Sequence, residues 1–194
     1  MIDGIILASG FSRRMGKNKL LLSLGSETVV EKVIQAAKAS GLRSIILVCR
    51  DDGLMEIGRN LGVEPIRNSN AELGQAESVK LGVAASGADG YLFLAADQPY
   101  ITPEFLDLLL QRYMETGKGI VAPVFNGRIR MPILFSKRYR DDLLKIKGEH
   151  GGFEIIESNP EDTELVDVED KRLVADVDTL DDYKWILANG GEGS

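Results

Sequence analysis

The amino-acid sequence predicts an α/β protein with one doubly wound, mostly parallel sheet and helices on both of its faces. Two observations lead to this prediction. Short apolar runs alternate along the chain with segments of helical periodicity, as expected for parallel strands joined by helices. The apolar runs are also continuous, which is typical of strands buried on both faces. The strand-like runs begin at Gly4, Ser44, Tyr91 and Gly119, and the helical segments span residues 28–40, 54–61, 75–85 and 103–116.

Several of these elements begin with a capping signal. A threonine followed three residues later by an acidic residue can cap a helix reciprocally, and proline is favoured in the first helical turn. Such signals occur at Thr28 with Glu31, at Thr179 with Asp182, and at Thr102 before Pro103. We expect a loop entering a strand over residues 126–135, and a strand, a turn and a strand over residues 163–178.

The length of 194 residues predicts a single domain. We expect this domain to cover residues 1–188 and a flexible tail to follow over residues 189–194, because the tail has no large apolar side chain to anchor it. Hydrophobic residues make up 44% of the chain and charged residues 27%, which is typical of a globular protein. No apolar run approaches the roughly 20 residues that span a bilayer, so we expect no membrane association.

Charge and cysteine content narrow the function. With a net charge of -7 and a pI near 4.9, the protein repels a polyanion, so we expect no nucleic-acid partner. An anionic ligand must therefore be bound by a local group of positively charged side chains. The single cysteine, Cys49, cannot form an internal disulfide. No basic stretch precedes the first apolar run. These features favour a cytoplasmic location for the protein. Core packing is the expected role of both Cys49 and Trp185.

The segment that follows the first strand-like run is the best candidate for a ligand site. In open α/β sheets, ligands bind beyond the carboxyl ends of the strands, and residues 7–19 lie there. Glycines let backbone N–H groups turn toward phosphate oxygens, and cations balance the phosphate charge. The glycines are Gly10 and Gly16, and the cations are Arg13, Arg14, Lys17 and Lys19.

Two familiar phosphate-binding loops do not match this segment. A Walker loop has four residues between its glycines and then Lys followed by Ser or Thr, whereas five residues separate Gly10 from Gly16, and Asn18 follows Lys17. The GxGxxG pattern of a dinucleotide-binding fold is also missing. A basic, solvated connection is the alternative interpretation. Phosphate binding is favoured because glycines and cations converge at the ligand-binding edge of the predicted sheet.

The segment resembles the signature LAxGxSxRMGxxK of the MobA-like nucleotidyltransferases. The resemblance implies a Rossmann-like nucleotidyltransferase fold and a loop that binds a nucleoside triphosphate. The run Leu20–Leu22 is similar to the molybdenum cofactor cytidylyltransferase branch, which implies CTP. Ser9 stands where that branch has alanine and the guanylyltransferases have glycine, so GTP stays open. The implied nucleotide-binding residues of the loop are Leu7, Ala8, Ser9, Gly10, Ser12, Arg14, Gly16 and Lys19.

Carboxylates are expected near this loop. Asp97 follows the apolar run that begins at Tyr91, so it should emerge at the same edge of the sheet, where it could hold Mg²⁺ together with substrate phosphates. The alternative is a turn or helix-capping aspartate. The motif Asp97-Gln98-Pro99 and the segment 176–182 both resemble metal motifs of the family. The resemblance implies that Asp97 and Asp178 bind Mg²⁺, and Asp176 should face the opposite way if the strand pleat continues.

A second nucleotide-binding element is implied by residues 74–78, which open a predicted helix. They resemble a family element that reaches the base and ribose, so Gly74, Gln75 and Ser78 are candidates for nucleotide binding. A glycine turn before an ordinary amphipathic helix is the alternative. Residues 129–135 and 148–152 resemble the family's acceptor-side segments, with several substitutions. His150 lies there and receives no role.

Together these residues imply a nucleotidyltransferase. It would pass the CMP group of CTP to a phosphorylated acceptor, a molybdopterin, and release pyrophosphate, with Arg14, Lys19 and Asp97 as the catalytic residues. One rival is a GTP-dependent guanylyltransferase, and another is an enzyme that acts on a sugar or polyol phosphate. A third rival is a noncatalytic molybdopterin carrier or chaperone that serves a client molybdoenzyme. Two metal-binding carboxylates speak against a carrier, which needs none.

Overall fold

A computed structural model describes residues 1–11, 18–149 and 151–189 of the chain. No helix in these ranges is long and apolar enough to cross a membrane. The strands are β1 Ile2–Ala8, β2 Ser23–Leu24, β3 Glu27–Thr28, β4 Ile45–Cys49, β5 Glu64–Arg67, β6 Gly90–Ala95, β7 Ile120–Phe125, β8 Arg128–Ile129, β9 Ile133–Ser136 and β10 Thr163–Asp167. The α-helices are α1 Val29–Ala39, α2 Asp52–Asn60, α3 Gln75–Ala85, α4 Pro103–Thr116, α5 Arg140–Leu143, α6 Phe153–Ser158 and α7 Leu180–Asn189. Short 3-10 helices span Lys19–Leu21, Ala71–Leu73, Lys137–Tyr139, Pro160–Asp162 and Lys171–Val174.

One large sheet organises the structure. Its strand order is β10-β7-β9-β6-β1-β4-β5, with β8 paired to β7. The strand β1 runs parallel to both β4 and β6, β5 runs parallel to β4, and β10 runs parallel to β7. The strands β8 and β9 are antiparallel to their neighbours. The predicted fold class, a doubly wound and mostly parallel sheet, is therefore confirmed.

Alternate side chains of the same strands enter two apolar clusters, one on each face of the sheet. Ile6 of β1 belongs to the cluster that contains residues of α1, α4 and α7. Its neighbour Ile5 belongs to the cluster that contains residues of α3, α5 and α6. Both isoleucines are fully buried. Helices thus cover both faces of the sheet, which explains why the strands are continuous apolar runs in the sequence.

The predicted helices are present, with small differences at their ends. The helices α3 and α4 have the predicted bounds, and α1 is one residue shorter than predicted at each end. The predicted capping box is confirmed, since Thr28 Oγ1 accepts a bond from the Glu31 N–H and Glu31 Oε2 accepts one from the Thr28 N–H. The helix α2 begins earlier than predicted, at Asp52, because the side chain of Asp51 caps it by accepting from the Gly53 N–H at 2.9 Å.

Two predictions for the second half of the chain are wrong in detail. Residues 163–178 contain one strand, β10, followed by the 3-10 helix Lys171–Val174 and an extended stretch that joins no sheet. Val174 and Val177 are buried, so this stretch packs against the core without joining the sheet. The predicted start of the tail, residue 189, is also wrong, because Asn189 is the last residue of α7. Residues 190–194 lie outside the described ranges.

A buried carboxylate fixes the start of β1. The two oxygens of Asp3 accept hydrogen bonds from Arg43 Nε at 2.8 Å and Nη2 at 2.7 Å. The hydroxyls of Ser44 and Ser86 donate to the same carboxylate at 2.8 and 2.6 Å. Burial alone would raise the pKa of Asp3, but the bonds from Arg43, Ser86 and Ser44 hold it below its usual value. Asp3 therefore ties β1 to the residues before β4 and to the end of α3.

Candidate active site

A cleft of about 530 Å³ opens at the carboxyl ends of β1 and β6. From β1 the chain proceeds to β4 and β5 on one side of the sheet and then returns to β6 on the other. Such a switch in direction is where open α/β sheets bind ligands. The cleft is lined by nine of the residues proposed from the sequence: Leu7, Ser9, Gly10, Lys19, Gly74, Gln75, Ser78, Asp97 and Asp178.

At one end of the cleft, Lys19 joins two carboxylates from distant parts of the chain. Its Nζ atom lies 2.5 Å from Oδ2 of Asp97 and 2.7 Å from Oδ1 of Asp178. The side chains of Lys19 and Asp97 are 12% and 19% exposed, whereas that of Asp178 is 50% exposed. The structure thus brings the three residues together in a cluster in which Lys19 and Asp97 are largely buried and Asp178 is exposed to solvent.

The backbone around Lys19 explains how it reaches the carboxylates. The side chain of Asn18 accepts a hydrogen bond from the Leu20 N–H at 3.2 Å and so caps the 3-10 helix Lys19–Leu21. Leu20 is buried in the core, and Leu22 packs against it. The apolar run after Lys19 is therefore an anchor that holds the lysine over the sheet edge, and Leu20 also lines the cleft.

The position of Asp178 depends on two sets of hydrogen bonds. The N–H of Val177 donates to the backbone oxygen of Asp97 at 2.9 Å, which places residues 176–178 beside the end of β6. The carboxylate of Asp182 accepts from the N–H groups of Asp178 and Thr179 at 3.2 and 2.8 Å, and Thr179 Oγ1 accepts from the Asp182 N–H at 3.1 Å. The predicted cap at Thr179 is confirmed, and it also fixes the backbone of Asp178.

The electrostatics of the cluster favour a charged lysine. Burial alone would lower the pKa of Lys19, but the negative charge of Asp97 and hydrogen bonds to Asp178 and Asp97 raise it above its usual value. Lys19 is thus an ammonium ion at neutral pH, and it partly neutralises both carboxylates.

Asp176 is the third carboxylate near this cluster, and unlike Asp178 it does not line the cleft. Its Oδ1 atom accepts a hydrogen bond from Gln98 Nε2 at 2.9 Å. Burial raises the pKa of the Asp176 carboxyl to about 6, and the nearby charge of Asp97 contributes to this shift. The pleat argument fails because residues 175–178 do not form a strand.

The far end of the cleft is built around the start of α3. Gly74 has φ of +106°, and a Cβ atom there would lie 2.5 Å from the carbonyl carbon and oxygen of Gly148. The N–H of Ala76 donates to that oxygen at 3.0 Å, and the N–H of Gln75 donates to Glu149 Oε2 at 3.2 Å. The loop at Gly148 thus closes over the start of α3, and only glycine fits at position 74.

Ser78 is oriented by a residue that the sequence did not reveal. Its Oγ atom accepts a hydrogen bond from Asn68 Nδ2 at 3.0 Å, and both side chains are buried. Asn68 is in turn fixed through its Oδ1 atom, which accepts from the Asn70 N–H at 2.9 Å. Because Ser78 lines the cleft and its oxygen is already an acceptor, its hydroxyl can donate a proton to a ligand.

The residues at the end of β1 have different environments. Ala8 is buried in the apolar core and does not line the cleft, so its role in the structure is packing. The hydroxyl of Ser9 donates to the backbone oxygen of Val48 at 3.2 Å and ties the loop to β4. A Cβ atom on Gly10 would meet nothing within 4 Å, so a side chain there would occupy space in the cleft. The remaining loop residues, Ser12, Arg14 and Gly16, lie outside the described ranges, as does His150.

Three further lining residues have no role predicted from the sequence. Glu72 and Glu149 place carboxyl groups at the α3 end of the cleft. The ring of Phe11 lies at the other wall, 4.4 Å from the guanidinium carbon of Arg50. Phe11 and Glu149 lie in segments that resemble the family but at positions given no role there, so only the fold could reveal that they face this cleft.

The donor set at Lys19 fits a divalent cation. Among the described residues, no group of three or more His, Cys, Asp or Glu side chains is arranged to hold a metal. Mg²⁺, however, is typically held by one or two carboxylates that share it with substrate phosphates. Oxygens of Asp97 and Asp178 already converge on one positive charge, the Lys19 ammonium. Two hard carboxylate ligands at the mouth of a cleft match that requirement.

A nucleotide-sized cleft with a lysine and two carboxylates at the switch point of a parallel sheet is typical of phosphate-transferring α/β enzymes. Residues 4–164 match the MobA-like NTP transferase domain. The purine catabolism protein PucB of Bacillus subtilis is 31% identical over 196 residues, and the similarity covers 94% of each chain. The chain therefore belongs to the MobA-like NTP transferase family, and it is a nucleotidyltransferase of that family.

Other relatives extend this similarity. A probable molybdenum cofactor guanylyltransferase of Pelotomaculum thermopropionicum is 33% identical over 132 residues, which covers 67% of this chain and 60% of the relative. The crystal structure of Rv0371c from Mycobacterium tuberculosis superposes with a TM-score of 0.82 at 26% identity and covers 97% of both chains. A nucleotidyl transferase from Methanothermobacter thermautotroptrophicus superposes with a TM-score of 0.83 at 24% identity and covers 97% of this chain and 96% of its own, which agrees with the predicted fold.

Proposed function

We propose that the protein transfers the CMP group of CTP to the phosphate of a molybdopterin and releases pyrophosphate. One observation carries this proposal: Asp97 and Asp178, 81 positions apart in the sequence, converge with Lys19 at the mouth of a cleft of about 530 Å³. Two carboxylates and a cation at such a place suit a reaction between two phosphate groups. A molybdopterin is supported as the acceptor by the relatives that are named as probable molybdenum cofactor guanylyltransferases.

The proposed reaction needs no nucleophile from the protein. An oxygen of the acceptor phosphate attacks the α-phosphorus of the nucleotide, the bond from that phosphorus to the bridging oxygen of the β-phosphate breaks, and pyrophosphate leaves. The attacking phosphate is already anionic, so catalysis consists of positioning and charge stabilisation. Lys19, and Arg14 by the family resemblance, would bind the triphosphate oxygens.

Asp97 and Asp178 are the proposed ligands of Mg²⁺. When bound there, the metal would supply positive charge to the phosphate oxygens. The protein's own contribution is to hold both carboxylates in place. The hydrogen bond from Val177 to Asp97 and the cap at Thr179 do so from opposite sides of Asp178.

The start of α3 is the proposed site for the nucleoside. Gln75 and Ser78 lie on its first turn and line the cleft. The hydroxyl of Ser78 can donate a hydrogen bond, and the amide of Gln75 can both donate and accept, as the edge of cytosine requires. Gly10 and Ser9 lie beside the sheet, where a ligand can approach the backbone closely.

GTP is the second candidate nucleotide, and a specific observation favours it. The carboxyl groups of Glu72 and Glu149 line the α3 end of the cleft. Guanine presents two neighbouring N–H donors on its Watson–Crick edge, which a carboxylate can accept together, whereas cytosine presents one amino group. Guanine would therefore use these glutamates more fully than cytosine.

The test is incubation with molybdopterin, Mg²⁺ and each nucleoside triphosphate in turn, with pyrophosphate release as the readout. We expect release with CTP, and CTP should also displace a bound nucleotide analogue more readily than GTP does. Faster release with GTP would establish the guanylyltransferase instead. If no triphosphate gives pyrophosphate with molybdopterin, but one does with a sugar or polyol phosphate, then the acceptor is wrong and the transferase assignment stands.

A further inference from the structure

The side chain of Asn68 sets the direction of the hydrogen bond at Ser78. The backbone N–H of Asn70 can only donate, so the amide oxygen of Asn68 faces it, at 2.9 Å. The other end of the same amide is then the NH2 group, which donates to Ser78 Oγ at 3.0 Å. An amide nitrogen cannot accept a hydrogen bond, so the hydroxyl proton of Ser78 points away from Asn68.

The amide of Asn68 is held in this orientation. Its backbone N–H donates to the oxygen of Cys49 at 2.8 Å, at the end of β4, so the main chain is fixed as well as the side chain. Turning the amide over would place its NH2 group against the Asn70 N–H, two donors with no acceptor between them. Ser78 is therefore a hydrogen-bond donor before any ligand arrives.

The proton that Ser78 donates has no acceptor among the described residues. Asn68 and Ser78 are each 2% exposed, and in the described ranges no hydrogen bond leads from the Ser78 hydroxyl to an oxygen. Ser78 lines the cleft, whereas Asn68 does not. A buried donor without an acceptor is unfavourable, so we expect a ligand in the cleft to supply one.

The direction of this bond restricts which atom of a nucleoside can face Ser78. An amino group of a base only donates, so it is excluded there. A ribose hydroxyl both donates and accepts, and it would fit a serine of either direction. A carbonyl oxygen or a ring nitrogen of a base only accepts, and it fits Ser78 only as Asn68 orients it. The carboxyl groups of Glu72 and Glu149, which also line the cleft, are suited to the amino group.

We infer that Asn68 is a positioning residue that orients the nucleotide base. It keeps the hydroxyl of Ser78 a donor, and Ser78 binds a carbonyl oxygen or ring nitrogen of the base and not the ribose. The amino group of the base then faces Glu72 and Glu149. This inference rests on the proposed function, since it orients the base at the proposed nucleoside site. Asn68 lies outside the motifs that carry the family resemblance.

The variant Asn68→Asp reverses the bond. One carboxylate oxygen still accepts from the Asn70 N–H, but the other accepts from the Ser78 hydroxyl, so Ser78 presents only lone pairs to the cleft. Calorimetric titration with Mg²⁺ should show that CTP and GTP each bind more weakly, on the order of tenfold or more. In a Ser78→Ala background the same change should alter either Kd by less than about twofold, because no hydroxyl is left to reverse.

The single variant Ser78→Ala tests the inference without any change at Asn68. It should weaken CTP binding by about tenfold, since the base loses its donor. It should leave the Kd for ribose 5-triphosphate, which has no base, within about twofold of the original. An equal loss for CTP and for ribose 5-triphosphate would place Ser78 at the ribose and overturn the inference.

Asn70→Asp is the matched control for Asn68→Asp. It adds the same negative charge two positions away on an exposed side chain, and it keeps the backbone N–H that Asn68 binds. Both Kd values should stay within about twofold, and melting curves should show that each variant is folded.

Two results with Asn68→Asp would overturn the inference. One is unchanged binding of CTP and GTP, and the other is a loss that persists at full size in the Ser78→Ala background. These titrations contain no acceptor substrate. A lack of pyrophosphate release with molybdopterin would therefore overturn the proposed reaction alone, so the two failures are distinguishable.

Discussion

At the scale of single residues, the cluster around Lys19 contains one cation shared by two carboxylates. This arrangement has opposite consequences for the binding of the triphosphate and for the binding of the metal ion. The ammonium attracts the triphosphate, but it also holds the carboxylate oxygens that would bind a metal. Lys19 and a metal ion would therefore compete for the negative charge of the two carboxylates.

Lys19→Gln is accordingly expected to strengthen metal binding and to weaken nucleotide binding. In the nucleotide-free protein, Mn²⁺ should bind about tenfold more tightly or better, because no ammonium competes for Asp97 and Asp178. Binding of CTP should weaken by about 1.5 to 3 kcal/mol, the range for a charge-assisted contact. Calorimetric titration measures both affinities. Lys32→Gln, which removes a lysine paired with Glu27 outside the cleft, serves as the control. Unchanged Mn²⁺ affinity in Lys19→Gln would show that the lysine and the metal do not share ligands.

Some residues of the candidate site could be predicted because their chemistry depends on local sequence. Asp97 follows the end of β6, and Lys19 lies in the glycine-rich segment that follows β1. The contacts of Asn68 and Glu149 with α3 could not be predicted, because Asn68 lies in no motif and the resemblance at residues 148–152 concerned the acceptor rather than α3. Their roles depend on the folded arrangement of loops, which no sequence pattern encodes.

At the scale of secondary-structure elements, the start of α3 and the loop at Gly148 form one unit. Gly74→Ala should destabilise the protein by more than about 1 kcal/mol, since alanine is strained at a φ of +106° and its Cβ atom would clash with the Gly148 carbonyl. Urea unfolding measures the loss. Gly62→Ala is the matched control, because Gly62 also has a positive φ, +69°, but a Cβ atom there meets nothing within 4 Å. Equal losses in the two variants would mean that the Gly148 contact contributes nothing.

The elements also show where prediction from pattern fails. Residues 171–178 have apolar residues at strand-like spacing, yet their backbone forms a 3-10 helix and an extended stretch. The Val177 N–H donates to the Asp97 oxygen, a hydrogen bond that joins positions far apart in the sequence. Periodicity detects burial, but it cannot tell whether a partner strand is available. By contrast, α3 and α4 were predicted to the residue because turn formers and caps mark their ends.

At the scale of the whole molecule, Asp3 links the start of β1 to the residues before β4 and to the end of α3. Asp3→Asn should cost about 1.5 to 3 kcal/mol at neutral pH, because the bonds from Arg43 lose their charged acceptor. The folded pKa of Asp3 is below its usual value, so this stabilisation is fully present above about pH 4 and is lost as the pH falls through the folded pKa.

Urea unfolding of the original protein and of Asp3→Asn at pH 7 and at pH 3 checks this expectation. The difference in unfolding free energy between the two proteins should shrink at pH 3, where Asp3 begins to be protonated. A difference that is the same at both pH values would indicate that the carboxylate charge does not contribute to stability.

The central claim is that Asp97 and Asp178 act together in nucleotidyl transfer, and a double-mutant cycle on turnover tests it most directly. Asp97→Asn and Asp178→Asn should each lower the rate of pyrophosphate release with CTP and molybdopterin on the order of a hundredfold or more, and the double variant should be little worse than either single one. Asp181→Asn, three positions from Asp178 and with a side chain 90% exposed, should retain full activity. Losses that multiply in the double variant would contradict a shared role for the two aspartates.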